Sequence, residues 1–226
     1  TSSRFRIETK IRAELRDIVS RLYSVRENSG KKLVEQLSSK TAEVVVDPVL
    51  LLNDKEWLEE IPNEREYDEP YIFAYFLGKS KEYRNAVTEF AKKKNLKIVT
   101  SHHMDSYNKV DEDFGDYAPF DVGPAEFVNL IRNAEYVFTD SFHGSVFSML
   151  YQKQFLVFTR YAENSMSSKN SRIDSFCENY GLTDRRYNGD INAVDNEIEY
   201  NSVLERVEEH RQKSRAFLDN ALADFC

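Results

Sequence analysis

Four apolar runs of strand length mark the second half of the chain: "PYIFAYFLG" (70–78), "LKIVTS" (96–101), "EYVFTDS" (135–141) and "QFLVFTR" (154–160). They are apolar almost throughout rather than at alternate positions, so both faces of each strand are expected to be covered. Helical patterns separate them: "KEYRNAVTEFAKKKN", then "GPAEFVNLIRNA" with Pro124 in its first turn, then "FHGSVFSMLYQ". Strands alternating with helices of this length build right-handed βαβ units and a parallel sheet. The fold class expected is therefore α/β, a Rossmann-like parallel sheet flanked by helices.

The rest of the chain fits around that unit. Residues 5–22 carry Ile7, Ile11, Leu15, Ile18 and Leu22 at helical spacing. "LYSVRENSG" reads as a short strand running into a polar loop, "SGKKLVEQL" as a helix, and "AEVVVDPVLLL" as a strand that Pro48 interrupts. "DKEWLEEI" is a short helix with Asp54 as its expected cap, and residues 61–69 read as a linker. Residues 101–121 are loop-like. "SRIDSFCENYG" is a helix that Gly181 ends, and the chain closes on one long helix from Tyr200 to Phe225. Its stripe of Val203, Val207, Phe217, Leu218 and Leu222 is expected to dock on the domain or on another chain. The division expected is residues 1–62, a lead-in helix and the first βα elements, and 63–226, the Rossmann-like domain, with one continuous domain as the alternative.

A net charge of −8 argues against broad binding to nucleic acid or to an anionic membrane. Two cysteines make no disulfide framework, no apolar run approaches a membrane span, and no secretory signal opens the chain. A cytoplasmic location is the resulting expectation. The missing initiator Met points to processing or truncation.

In open parallel sheets ligands bind beyond the carboxyl ends of the strands. Gly78, Ser101 to His103, Thr139 to Gly144, Arg160 and, from the earlier strand, Arg26 all fall on that edge. The sequence "TDSFHG" sits where a strand becomes a helix, and the first amides of a helix form an anion site that Ser or Asp can cap when empty. Gly144 is expected to let a ligand approach the backbone. Histidine titrates near neutrality, at about 6.5, so His143 suits proton transfer as well as phosphate binding. Asp140 and Ser141 are expected to cap the helix and fix the imidazole. His102 and His103 are adjacent, so their side chains diverge, and no third ligand lies at metal-site spacing; no metal is expected. Lys92 to Lys94 read as a solvated helix end and His210 as exposed.

"YSVRENSGKKLVEQL", "DPVLLL", "GPAEFVNLIRNAEYVFTDSFHGSVFSMLYQKQFLVF" and "NSRIDSFCENYGLTD" together resemble the polysaccharide pyruvyl transferase family. Order and spacing agree across these segments from about Tyr23 to about Asp184. The resemblance implies the C-terminal half of a GT-B-like enzyme of bacterial exopolysaccharide or cell-wall polysaccharide synthesis. It also implies transfer of pyruvate from phosphoenolpyruvate to a pair of sugar hydroxyls as a ketal, with no cofactor beyond that donor. The partners implied are phosphoenolpyruvate, a saccharide acceptor, and a missing N-terminal half or another chain.

His143 then becomes the expected catalytic residue. Arg26, Ser141, Gly144, Ser145, Arg172 and Gly78 become the expected substrate-binding residues, Arg26 gripping carboxylate or phosphate in a bidentate way. The bland alternatives are a histidine that only satisfies its helix end, an Arg26–Glu27 pair, and an Arg172–Asp174 pair or loop cap. Two other functions compete: a GT-B glycosyltransferase half using a nucleotide sugar, which would want a base-stacking aromatic and an acidic ribose contact, and a non-catalytic binding domain.

Overall fold

The computed structural model describes residues 23–38, 40–101, 107–160 and 170–223. The helix expected over 5–22 and the pair His102–His103 lie outside them. The chain divides into two compact units, one of residues 1–46 and 213–226 and one of residues 47–212. The stretch 61–69, read as a linker, lies inside the second.

In the first unit, β1 (Tyr23–Val25) pairs in parallel with β2 (Ala42–Val44), Tyr23 opposite Ala42 and Val25 opposite Val44, and α1 (Asn28–Leu37) connects them. Arg26 is exposed at the carboxyl end of β1, next to Glu27, the N-cap of α1. The amide of Val46 is held by the hydroxyl of Ser214 at 2.9 Å.

The second unit opens on a turn. Asp47 caps the 3₁₀ turn Pro48–Leu51 by accepting the amide of Val49, so Pro48 begins an element rather than breaking a strand. The next helix, α2 (Asp54–Glu60), is capped by Asn53 and not by Asp54: Asn53 accepts from Lys55 and Glu56 while Glu56 reaches back to the amide of Asn53. That reciprocal pair satisfies more end amides than Asp54 could.

The sheet comprises β3 (Tyr71–Tyr75), β4 (Lys97–Thr100), β5 (Tyr136–Thr139) and β6 (Gln154–Val157), all parallel, in the spatial order β4-β3-β5-β6. Helices α3 (Lys81–Lys94), α4 (Pro124–Asn133) and α5 (Phe142–Leu150) connect them, and α6 (Asn170–Tyr180) and α7 (Tyr200–Leu222) follow. Alternate residues face opposite ways. Ile72, Ala74 and Phe76 join Phe138, Leu156 and Phe158 in one buried cluster with Val87 and Phe90 of α3. Phe73 and Tyr75 instead turn their rings onto Phe127 of α4, at 5.8 and 5.0 Å. Both faces are covered, as the uninterrupted apolar runs required, and each fully buried phenylalanine contributes about 1.5–3 kcal/mol.

Because β3 leads outward to β4 and the chain then returns to β5 on its other side, the strand order reverses between β3 and β5. Crevices for ligands open at such a reversal. Polar groups on the surrounding helices also depart from expectation. Lys94 pairs with Asp195 at 2.8 Å and lies over the rings of Phe90 and Tyr136, so it is a tether rather than a solvated end. His210 is half-buried with its ring 5.4 Å from that of Tyr180. On α7, Val203 and Val207 are buried, whereas Leu218 and Leu222 are exposed. Arg211 of the same helix donates to the carbonyls of Leu50 and Leu52. Among the described residues no helix is long and apolar enough to cross a membrane.

Candidate active site at the strand–helix corner

The end of β5 is fixed from within. Thr139 Oγ1 donates to the carbonyl of Tyr75 at 2.7 Å and accepts the amide of Ser141 at 3.0 Å. Ser141 caps α5: its hydroxyl accepts from Gly144 at 3.3 Å, and its carbonyl accepts the amide and the hydroxyl of Ser145 at 3.0 and 2.9 Å. Ser141 thus caps the amide of Gly144, as expected of the corner with no anion bound. Ser145 is fully buried.

Gly144 is glycine for a packing reason. A Cβ there would stand 2.7 Å from Thr139 Oγ1 and 3.0 Å from its Cγ2, so the absent side chain lets the helix close onto the strand. Gly78 is glycine for a packing reason as well. Asp140 does not cap α5; it reaches across the strand reversal and accepts the amides of Leu77 and Gly78 at 2.7 and 2.8 Å. A Cβ on Gly78 would stand 2.8 Å from that carboxylate, and its carbonyl accepts from the buried guanidinium of Arg84 at 2.9 Å. Burial raises the pKa of Asp140 above the ordinary carboxylate value, with the Leu77 and Gly78 amides and then Arg160 and Arg84 pulling the other way.

What remains open at the corner is His143. As the second residue of α5 its side chain is 48% exposed, and its Nε2 stands 3.6 Å from Oδ1 of Asp47, a carboxylate only 3% exposed. That separation is longer than a hydrogen bond. The other carboxylate oxygen lies 4.0 Å from Nη2 of Arg172, whose guanidinium lies over the ring of Phe142 at 4.3 Å. Arg172 thus turns towards Asp47, while Asp174 pairs with Arg186 at 3.2 Å. The structure brings His143, Arg172 and Ser141 to one corner. Arg26 stands in the first unit, and its part in binding stays a proposal.

Asp47 was missed as a site residue. Its signal was present, since an Asp before Pro at the end of an apolar run is a capping position, but nothing local tells that a histidine 96 positions on will face it. A cavity of about 480 Å³ was missed too. It lies beside His143 and is lined by Val49, Trp57, Ile61, Tyr75, Ser101, Val122, Gly123, Pro124, Phe127, Val128, Ser141 and Phe147. Tyr75, Ser101 and Ser141 follow the carboxyl ends of β3, β4 and β5, so the cavity occupies the edge where this class of sheet binds ligands.

The sequence profile of the polysaccharide pyruvyl transferase family matches residues 7–161. No curated protein matches the chain. Among solved structures, a putative UDP-N-acetylglucosamine 2-epimerase from Listeria monocytogenes superposes with a TM-score of 0.55 at 12% identity, over 93% of this chain and 62% of that one. The UDP-GlcNAc 2-epimerase of Methanocaldococcus jannaschii gives 0.48 at 16% identity, over 85% and 55%. At such identities the Listeria likeness is one of fold, the GT-B type. The chain spans less than two thirds of the length of either protein.

Proposed function

Taking as premise that the chain belongs to the polysaccharide pyruvyl transferase family, we propose that it carries the donor and proton-transfer side of pyruvyl transfer from phosphoenolpyruvate to a saccharide. The observation that supports this most is the open His143 at the first turn of α5, with the buried Asp47 at 3.6 Å and Arg172 beyond it. A general acid needs exposure to substrate and a means of carrying positive charge, and a buried carboxylate supplies the second.

In this reading His143 protonates the methylene carbon of phosphoenolpyruvate, which becomes the methyl group, and carbon two takes up cationic character. One sugar hydroxyl adds there, the bond to the phosphate oxygen breaks, and a second hydroxyl closes the ketal. Of the two hydroxyl protons released, one restores His143 and the other leaves with phosphate, so protons balance. Asp47 stabilises the imidazolium and orients the ring through Nε2, which leaves Nδ1 for the substrate. Arg172 faces the donor's anionic groups. A nucleotide-sugar donor would want an acidic ribose contact, and among the described residues no carboxylate lines the cavity.

The test is phosphate release from phosphoenolpyruvate in the presence of a saccharide acceptor, with ketal formation followed by mass spectrometry. His143→Ala should lower turnover by roughly 10²–10⁴-fold, the range for a general acid, and leave the fold intact because half of the side chain is already in solvent. Wild-type turnover in that variant removes His143 from the mechanism.

A further inference from the structure

We infer that the cavity beside His143 seats the acceptor, one pyranose unit lying between Trp57 and Phe127, and that the anionic donor does not enter it. This rests on the reading above and locates its second substrate.

Charge decides first. Among the described residues, no Lys, Arg, Asp or Glu lines the cavity. Phosphoenolpyruvate carries a phosphate and a carboxylate, and placing such charges in an apolar space without a counter-charge is strongly unfavourable. A pyranose is neutral and two-sided, with hydroxyls around its rim and C–H bonds on its faces. The cavity has matching parts. Trp57, Tyr75, Phe127 and Phe147 supply aromatic surface, and Ser101, Ser141 and His143 supply hydrogen-bonding groups. Few polar groups on a largely apolar wall is the usual make-up of a small-molecule site.

The wall is also preformed. The indole of Trp57 donates to the carbonyl of Val49 at 2.9 Å and meets Phe147 edge-on with centroids 5.3 Å apart. Phe127 is held edge-on by Tyr75 at 5.0 Å and by Phe147 at 6.4 Å. Rings locked in this way lose little freedom when a ligand arrives. Position completes the argument, because His143 is shared: it lines the cavity and also faces Asp47. A hydroxyl in the cavity would therefore lie next to the group that moves the proton.

Trp57 is the only tryptophan of the chain, so its fluorescence reports on this wall alone. The 226-residue chain would be titrated with methyl pyranosides of the gluco, galacto, manno and 2-acetamido series, and separately with phosphoenolpyruvate. At least one pyranoside should change Trp57 emission saturably. Phosphoenolpyruvate should raise the melting temperature without competing for that signal. Phe127→Ala should weaken pyranoside binding about tenfold, the worth of one aromatic contact, and leave the phosphoenolpyruvate shift unchanged. Ser101→Ala, which removes only a hydroxyl, should weaken the pyranoside too and serves if Phe127→Ala does not fold. Silence of Trp57 towards every pyranoside overturns the inference, as does competition by phosphoenolpyruvate or equal weakening of both ligands. A pyranoside signal with no phosphoenolpyruvate shift would remove the donor assignment and leave the saccharide site standing.

Discussion

Gly144→Ala separates packing from binding at the "TDSFHG" corner. The new methyl would lie 2.7 Å from Thr139 Oγ1, 3.0 Å from Cγ2 and 3.2 Å from Cβ, against about 3.5–4.0 Å for a relaxed contact between carbon atoms. Helix and strand must therefore part by several tenths of an ångström, where Thr139 is fully buried and bonded at once to Tyr75 and Ser141. Overpacking of this kind costs about 1–3 kcal/mol. Alanine returns up to about 0.5–1 kcal/mol through its helix preference, and less than that in a first turn. The net loss expected is about 1–2 kcal/mol, or roughly 2–8 °C in melting temperature for a chain of this size. Urea unfolding followed by circular dichroism measures it. Thr139→Ala should relieve the clash, so the double variant should be more stable than the sum of the two single losses predicts. A Gly144→Ala protein as stable as wild type, with substrate binding lost, would refute the packing account and return Gly144 to the ligand.

Asp47→Asn keeps an acceptor for the amide of Val49 but removes the charge beside His143; turnover should fall on the order of 10–100-fold with little change in KM, as steady-state kinetics would show, and a change in KM alone would contradict the positioning role. Asp140 gives a pH signature. Because burial raises its folded pKa, the native state binds more protons than the unfolded one in the window above the ordinary carboxylate value, so this group's contribution is fully present below that value and lost as pH rises through the window. The stability of wild type relative to Asp140→Asn should accordingly decline in urea melts as pH rises above the ordinary carboxylate value, and a flat difference would show that the carboxyl titrates as it does in water.

Much of the architecture was legible because both signals behind it are local. The runs around Phe73, Val99, Phe138 and Leu156 announced buried parallel strands, and Pro124 and Gly181 marked helix ends where the chain does begin and end them. Site residues were harder, since a glycine or serine at a helix start serves packing and binding with the same face. Gly144, Ser145 and Gly78 meet Thr139, Ser141 and Asp140 respectively, contacts a linear reading cannot see. Asp47 and Trp57 escaped for the opposite reason: each looks locally like a cap or a core residue, and only the fold sets them beside His143.

The grip of Arg211 on Leu50 and Leu52 has a temporal side. The turn that begins at Asp47 is held at Leu50 by a residue 161 positions later, so during synthesis from the N-terminus its anchor emerges only after every strand of the sheet. Strands and early helices can pair as they emerge, but this long-range closure must wait. The carboxylate facing His143 is set in place after the sheet, and a nascent chain that has not yet made the helix carrying Arg211 would hold a formed sheet with the proposed proton-transfer centre unfinished.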